Sequence, residues 1–151
     1  MNKSDSMSKR RWGVVVNYIF LLLILILSME GYLFGWSIVT KIGFWLSIII
    51  VIATFFPVHV QTGLWRLAHA RADVLDEREI QQNLGSLRHA YVAFSIICLL
   101  IFLALVFFQP GQIQSLVIFW VLLYLAHTLP SSILAWTATR VAIPDEQGSL
   151  P

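Results

Sequence analysis

Charge is what this chain has least of: only 12% of its residues are Asp, Glu, Lys or Arg, while 58% are hydrophobic. No charged side chain occurs between Arg11 and Glu30, and none occurs between Arg88 and Arg140. A water-soluble fold of 151 residues leaves much of its surface wet and cannot hide so much Leu, Ile, Val, Phe and Trp. Cysteine is nearly missing as well. Cys98 is the only one, so no disulfide can form within the chain, and its apolar surroundings make it a small hydrophobe. The formal net charge of +2 is too small to imply nucleic acid as a partner, and the basic residues gather at the ends of apolar runs rather than on one face. No G-x-S-x-G, phosphate-cradling glycine loop, CxxC or HExxH is present, and the expectation is a non-enzymatic protein.

What is present is apolar length. Residues 12–29 are uncharged, and with Gly31 to Phe34 they are long enough to cross about 30 Å of hydrocarbon at about 1.5 Å per residue. Basic Lys9, Arg10 and Arg11 before this run resemble the start of a secretory signal. The run is long for a signal core, however, and Glu30-Gly31-Tyr32 offers no small-x-small cleavage site, so it is expected to stay as an anchor. A second run covers Ile42 to Trp65. Its β-branched Ile48–Ile52 core would suit a strand in water, but lipid leaves an open strand's backbone unpaired, and helix is expected. The long uncharged stretch after Arg88 is divided by Gln109-Pro110-Gly111-Gln112, where Pro second and Gly third suit a type II turn.

The expected fold is all-α: a four-helix transmembrane bundle of two helical hairpins, a single domain over 12–138 with spans near 12–34, 37–58, 90–108 and 113–137. Residues 1–11 and 139–151 are expected as disordered tails. Nine of the ten Lys and Arg fall before the first span, in the middle segment or after the last span, and only Lys41 falls on the other side. That bias places both termini and residues 59–89 in the cytoplasm, in a multi-pass protein of the cell (inner) membrane. Trp12, Trp36, Trp45, Tyr91 and Trp136 lie at or near span ends, as an interfacial aromatic belt requires.

In the middle segment, Leu64, Leu67, Arg71, Val74 and Leu75 fall at helical spacing, so the second helix is expected to continue past Pro57 into the cytoplasm. Asp76 reads as an N-cap. With Glu79 three residues on, it forms an Asp variant of the capping box and starts a helix through Ile80, Leu84 and Leu87 that can run into the third span.

Leu75-Asp76-Glu77-Arg78-Glu79 resembles a motif of the LDER type, found between two helical hairpins in a loose group of small bacterial membrane proteins. Leu129-Pro130 followed by Ala135-Trp136 is similar to the ending of that group. The resemblance spans the second to fourth helices and implies a shared architecture, with no activity attached.

Several polar residues invite chemistry, and each has a plainer reading. Asp76, Glu77, Arg78 and Glu79, with Arg71, Asp73 and Arg88, could form an ion-pair network or dock a partner. A helix cap alone, worth about 1 kcal/mol, accounts for Asp76 and Glu79, and Arg78 could meet anionic head groups. His59, His89 and His127 would share the cytoplasmic half, where a bis-histidine haem b between facing helices is physically sensible. Against it, His59 and His89 sit at span ends where an imidazole is wet, no two histidines stand at i, i+3 or i, i+4, and no metal is expected. Only His127 is expected within the membrane, one turn before Pro130. The run His127-Thr128-Leu129-Pro130-Ser131-Ser132 suits a ligand site, or a proline kink whose loosened backbone is satisfied by hydroxyls. Glu30 and Lys41 are expected to pair near the outer end, and Asn17 to donate a hydrogen bond between helices.

Three functions remain open on this reading. One is an accessory or scaffolding subunit that binds another membrane or cytoplasmic protein. Another is a small transporter or ligand-binding protein working as a homo-oligomer. The third is a haem b protein. The lipid bilayer is the solvent in all three.

Overall fold

The computed structural model describes residues 3–61, 64–69 and 75–137, and every regular element among them is helical. Helix α1 spans Lys3–Phe34, α2 spans Ile38–Phe55, a π-helical turn follows over Phe56–Val60, α3 spans Leu64–His69, α4 spans Glu77–Phe108 and α5 spans Gln112–Thr137. Four of these stretches, Arg10–Phe34, Ile38–Val60, Glu77–Phe108 and Gln112–Thr137, are long and apolar enough to cross a bilayer.

The helices stand in an open order, α2 beside α1, α1 beside α5 and α5 beside α4. The main core lies where the first three meet, around Leu21 and Ile24 of α1, Val51 of α2, and Val121 and Leu125 of α5. A second cluster joins Val14, Val58, Leu67, Ala68, Leu134 and Ala135 at the end where α1 starts and α5 finishes. Helix α4 packs chiefly on α5 and touches α3. None of the residues in its most apolar 18-residue window is buried, so most of the α4 surface waits for another apolar medium.

The ends of the helices follow local chemistry. Gly35 takes φ +89°, open to glycine at no steric cost, and Ser37 caps α2 by accepting the Thr40 N–H at 3.1 Å. At the start of α4, Asp76 Oδ1 accepts the Glu79 N–H and Glu79 Oε2 accepts the Asp76 N–H at 3.2 Å. This is the reciprocal box expected from the spacing. The two short connections, Gly35–Ser37 and Gln109–Gly111, lie at one end of the molecule, where the Tyr32 hydroxyl donates to the Gln109 carbonyl at 3.4 Å.

Four expectations need correction. Residues 3–11, expected as a tail, continue α1, and Arg10 and Arg11 hold them by donating to the Ala135 and Trp136 carbonyls at 2.8 and 3.3 Å. The connection after α4 is not a type II turn, because the left-handed residue is Gln109 at φ 42° and not Gly111; the helix ends in an αL cap instead. The second helix does not project past Pro57 as a straight extension. Pro57 has no N–H to give the ladder, the chain widens into a π turn closed by Gln61 N–H to Phe56 O at 3.0 Å, and α3 folds back to bury Leu67 and Ala68 against α5. Glu30 does not pair with Lys41 among the described residues; it accepts from the Thr40 hydroxyl at 3.3 Å, while Lys41 is exposed. Arg71, Asp73 and Val74, and the tail 139–151, lie outside the described residues.

Candidate functional site

Where α1, α2 and α5 meet, eight uncharged polar side chains are gathered between apolar ones. Asn17 is fully buried on α1, and its position opposite α2 and α5 gives all its polar atoms partners. Its Nδ2 donates to the Val51 carbonyl at 3.1 Å and to Thr54 Oγ1 at 2.9 Å, and its Oδ1 accepts from the Tyr124 hydroxyl at 2.8 Å. Thr54 passes its own proton to the Ile50 carbonyl at 2.7 Å. The amide therefore ties three helices at one point.

One residue further, the Tyr18 hydroxyl lies 2.7 Å from Ser132 Oγ and 3.3 Å from Thr128 Oγ1. Thr128 spends its proton on the Tyr124 carbonyl at 2.9 Å, so it can only accept from Tyr18. Tyr18 has a single proton, so the consistent order runs from Ser132 to Tyr18 to Thr128 to the Tyr124 carbonyl. Every hydroxyl in that order donates once.

His59 joins the same network from the π turn. It is fully buried, with Nδ1 2.8 Å from Ser131 Oγ and Phe55 packed against its ring at 5.4 Å. Ser131 donates to the Thr128 carbonyl at 2.9 Å. A proton on Nδ1 keeps both bonds, from His59 to Ser131 and from Ser131 to Thr128. The other tautomer would leave only one and would strand a buried N–H, at a cost of about 1–3 kcal/mol. The first assignment therefore prevails, and Nε2 is left as a buried acceptor without a hydrogen-bond partner. The expectation of a wet imidazole at His59 is overturned. The wider turn at Pro57 places two consecutive residues, Val58 and His59, on the inner side.

The remaining site candidates scatter. His127 is exposed on α5 and donates from Nδ1 to the Leu123 carbonyl at 2.8 Å, and its side chain lines a groove of about 330 Å³ together with Phe55, Trp65 and Tyr124. His89 is exposed on α4 and bonds the Gly85 carbonyl at 2.7 Å. Pro130 is buried within an unbroken α5, next to Ser131. The hydroxyls around it bond the Tyr124 and Thr128 carbonyls, and none bonds Ala126, the carbonyl that the missing Pro130 N–H frees. Glu77, Arg78 and Arg88 are exposed and form no ion pair among the described residues, so Asp76 and Glu79 act as a cap and Arg78 stands apart from it.

Sequence reading found Asn17 and the polar run of α5 but missed Tyr18, Thr54 and Tyr124. Aromatic residues inside an apolar run read as packing, and only the adjacency of Tyr18 to Asn17 hints at a shared polar face. His59 is enclosed on all sides, so a haem macrocycle at Nε2 would displace the residues packed around it. Among the described residues no three of His, Cys, Asp and Glu gather as a metal-binding group.

No protein-family model, curated protein or solved structure matches this chain.

Proposed function

We propose that the chain is a multi-pass integral membrane protein, with both ends and residues 59–89 at the cytoplasmic face, that serves as a non-enzymatic accessory or scaffolding subunit. The observation that supports this reading is the one-sided packing of α4, a helix of 32 residues whose apolar stretch has no buried residue among the described residues and is only partly covered by α5, as at Phe94 and Ile97. Lipid covers such a surface adequately, and so does a helix of another membrane protein. The buried polar groups, by contrast, are turned inward on each other and tie helices together. Nine basic residues on one side set the orientation.

The test is gentle detergent purification followed by mass spectrometry, comparing the native chain with a variant carrying Leu99→Ala and Phe102→Ala on the exposed face of α4. A subunit co-purifies with a defined membrane protein at constant ratio, and the double variant loses it. Purification of the native chain alone at every detergent strength would overturn the accessory reading.

A second reading rests on the groove beside His127. With its Nδ1 proton given to Leu123, His127 keeps Nε2 as an acceptor, and the groove it lines with Phe55, Trp65 and Tyr124 suits a small aromatic or amphiphilic molecule bearing a hydroxyl donor. Binding or transport that survives His127→Ala counts against it.

A further inference from the structure

The face between α1 and α5 holds an open, almost wholly apolar groove of about 460 Å³. Its walls are Val15, Ile19 and Leu22 on one side and Leu129, Ile133 and Trp136 on the other. The hydroxyls of Tyr18 and Ser132, which also line it, bond each other at 2.7 Å and so present little polarity to an occupant. From residue 15 to residue 22, and equally from 129 to 136, the walls extend about 10 Å along the helices. Half of the hydrocarbon thickness of a bilayer is about 15 Å. The groove thus runs along most of one leaflet's acyl layer.

One end of the groove is marked by a cation. The Arg11 guanidinium lies 5.1 Å from the Trp136 ring centre, and its hydrogen bond to the Trp136 carbonyl is long at 3.3 Å. Its Nε–H is buried without a hydrogen-bond partner. No carboxylate among the described residues pairs with it. Exposed Trp12, 67% accessible, and Trp136, 50% accessible, stand at the same end, as side chains at the head-group level do.

We propose that this groove binds one acyl chain of an anionic glycerophospholipid of the cytoplasmic leaflet, with the lipid phosphate against Arg11. The inference rests on the membrane-spanning reading given above. Chain and head group are each accounted for by a different part of the site. The apolar walls take a hydrocarbon and discriminate little among lipids, and the guanidinium selects for a phosphate that carries net charge. A soluble anion would have no use for the apolar trough, and a zwitterionic lipid would bring its own cation to Arg11.

The test uses the full chain in detergent, titrated with phosphatidylglycerol or phosphatidylcholine of matched chains and read by native mass spectrometry. The first retained phosphatidylglycerol is expected to bind at least fivefold more tightly than phosphatidylcholine, about the worth of one basic residue near a charged leaflet. Arg11→Gln removes that preference, whereas Arg11→Lys keeps most of it. Ile133→Trp fills the groove and weakens both lipids, with helicity and thermal midpoint as the check that the variant is folded. Equal binding of the two lipids, no change in Arg11→Gln, or displacement by glycerophosphate alone each overturns the proposal. Solubility of the chain without detergent is a separate observation and would strike the membrane reading instead.

Discussion

At position 17 a single amide serves partners on two other helices; its removal orphans the Tyr124 hydroxyl and takes from Thr54 the bond it accepts, leaving the one it donates to Ile50. The expected cost of Asn17→Ala is about 1–2 kcal/mol, the range of polar contacts between helices in lipid. In a double-mutant cycle with Tyr124→Phe, measured by reversible unfolding in mixed micelles, the pair should couple by about 0.6–1.7 kcal/mol. Additive single effects would mean that the contact carries no energy. His59 and Ser131 give an asymmetric pair. Ser131→Ala strands the His59 N–H and should destabilise by about 1–3 kcal/mol, while His59→Leu removes an orphan acceptor and leaves Ser131 bonded to Thr128. The leucine variant is expected to be close to neutral; a loss equal to that of Ser131→Ala would contradict the tautomer assigned to His59. Sequence shows a polar residue such as Asn17 because it interrupts an apolar run. It cannot show which hydroxyls face it, since Thr54 and Tyr124 are distant in the chain and ordinary in composition.

For the elements, local signals were the readable ones. The Asp76–Glu79 spacing marks the start of α4 because both halves of the box lie within four residues and need no tertiary information. Asp76→Ala should cost about 1 kcal/mol and raise amide hydrogen exchange over the first turn of α4, leaving exchange near Cys98 unchanged. Uniform exchange along the helix would show that the cap does not anchor it. The π turn is the opposite case. Pro57 announces an irregularity, but whether a proline ends, kinks or widens a helix depends on what can be buried next, here His59, Leu67 and Ala68. The position of the Gln109–Gly111 connection is legible in the sequence and its geometry is not, because the αL cap at Gln109 satisfies the Leu105 carbonyl before Gly111 is reached.

Across the whole molecule, the number of long apolar helices follows from composition and length, whereas their order in space does not. Apolar faces in lipid carry no inside-outside contrast, so nothing in the sequence says that α4 stands at the edge beside α5. Placement of the two short connections at one end gives a direct expectation for topology. Cysteines introduced at Gly35 and at Gly111 should both react with an impermeant maleimide from the outer face of intact cells, and one at Glu77 should react only after permeabilisation. Labelling of Glu77→Cys from outside would invert or discard the proposed orientation.

The bonds from Arg10 and Arg11 to the last turn of α5 join residues 125 positions apart. They bear on the order of biogenesis. The α1–α2 pair can form while the ribosome is still translating, but the seam between α1 and α5 must wait until residues 135 and 136 have been made. Until then α1 keeps an unfilled flank, and that flank closes only after α5 has been synthesised. A nascent chain arrested before residue 135 would therefore insert its early helices and remain open to proteolysis along α1, a vulnerability that ends when the final turn arrives.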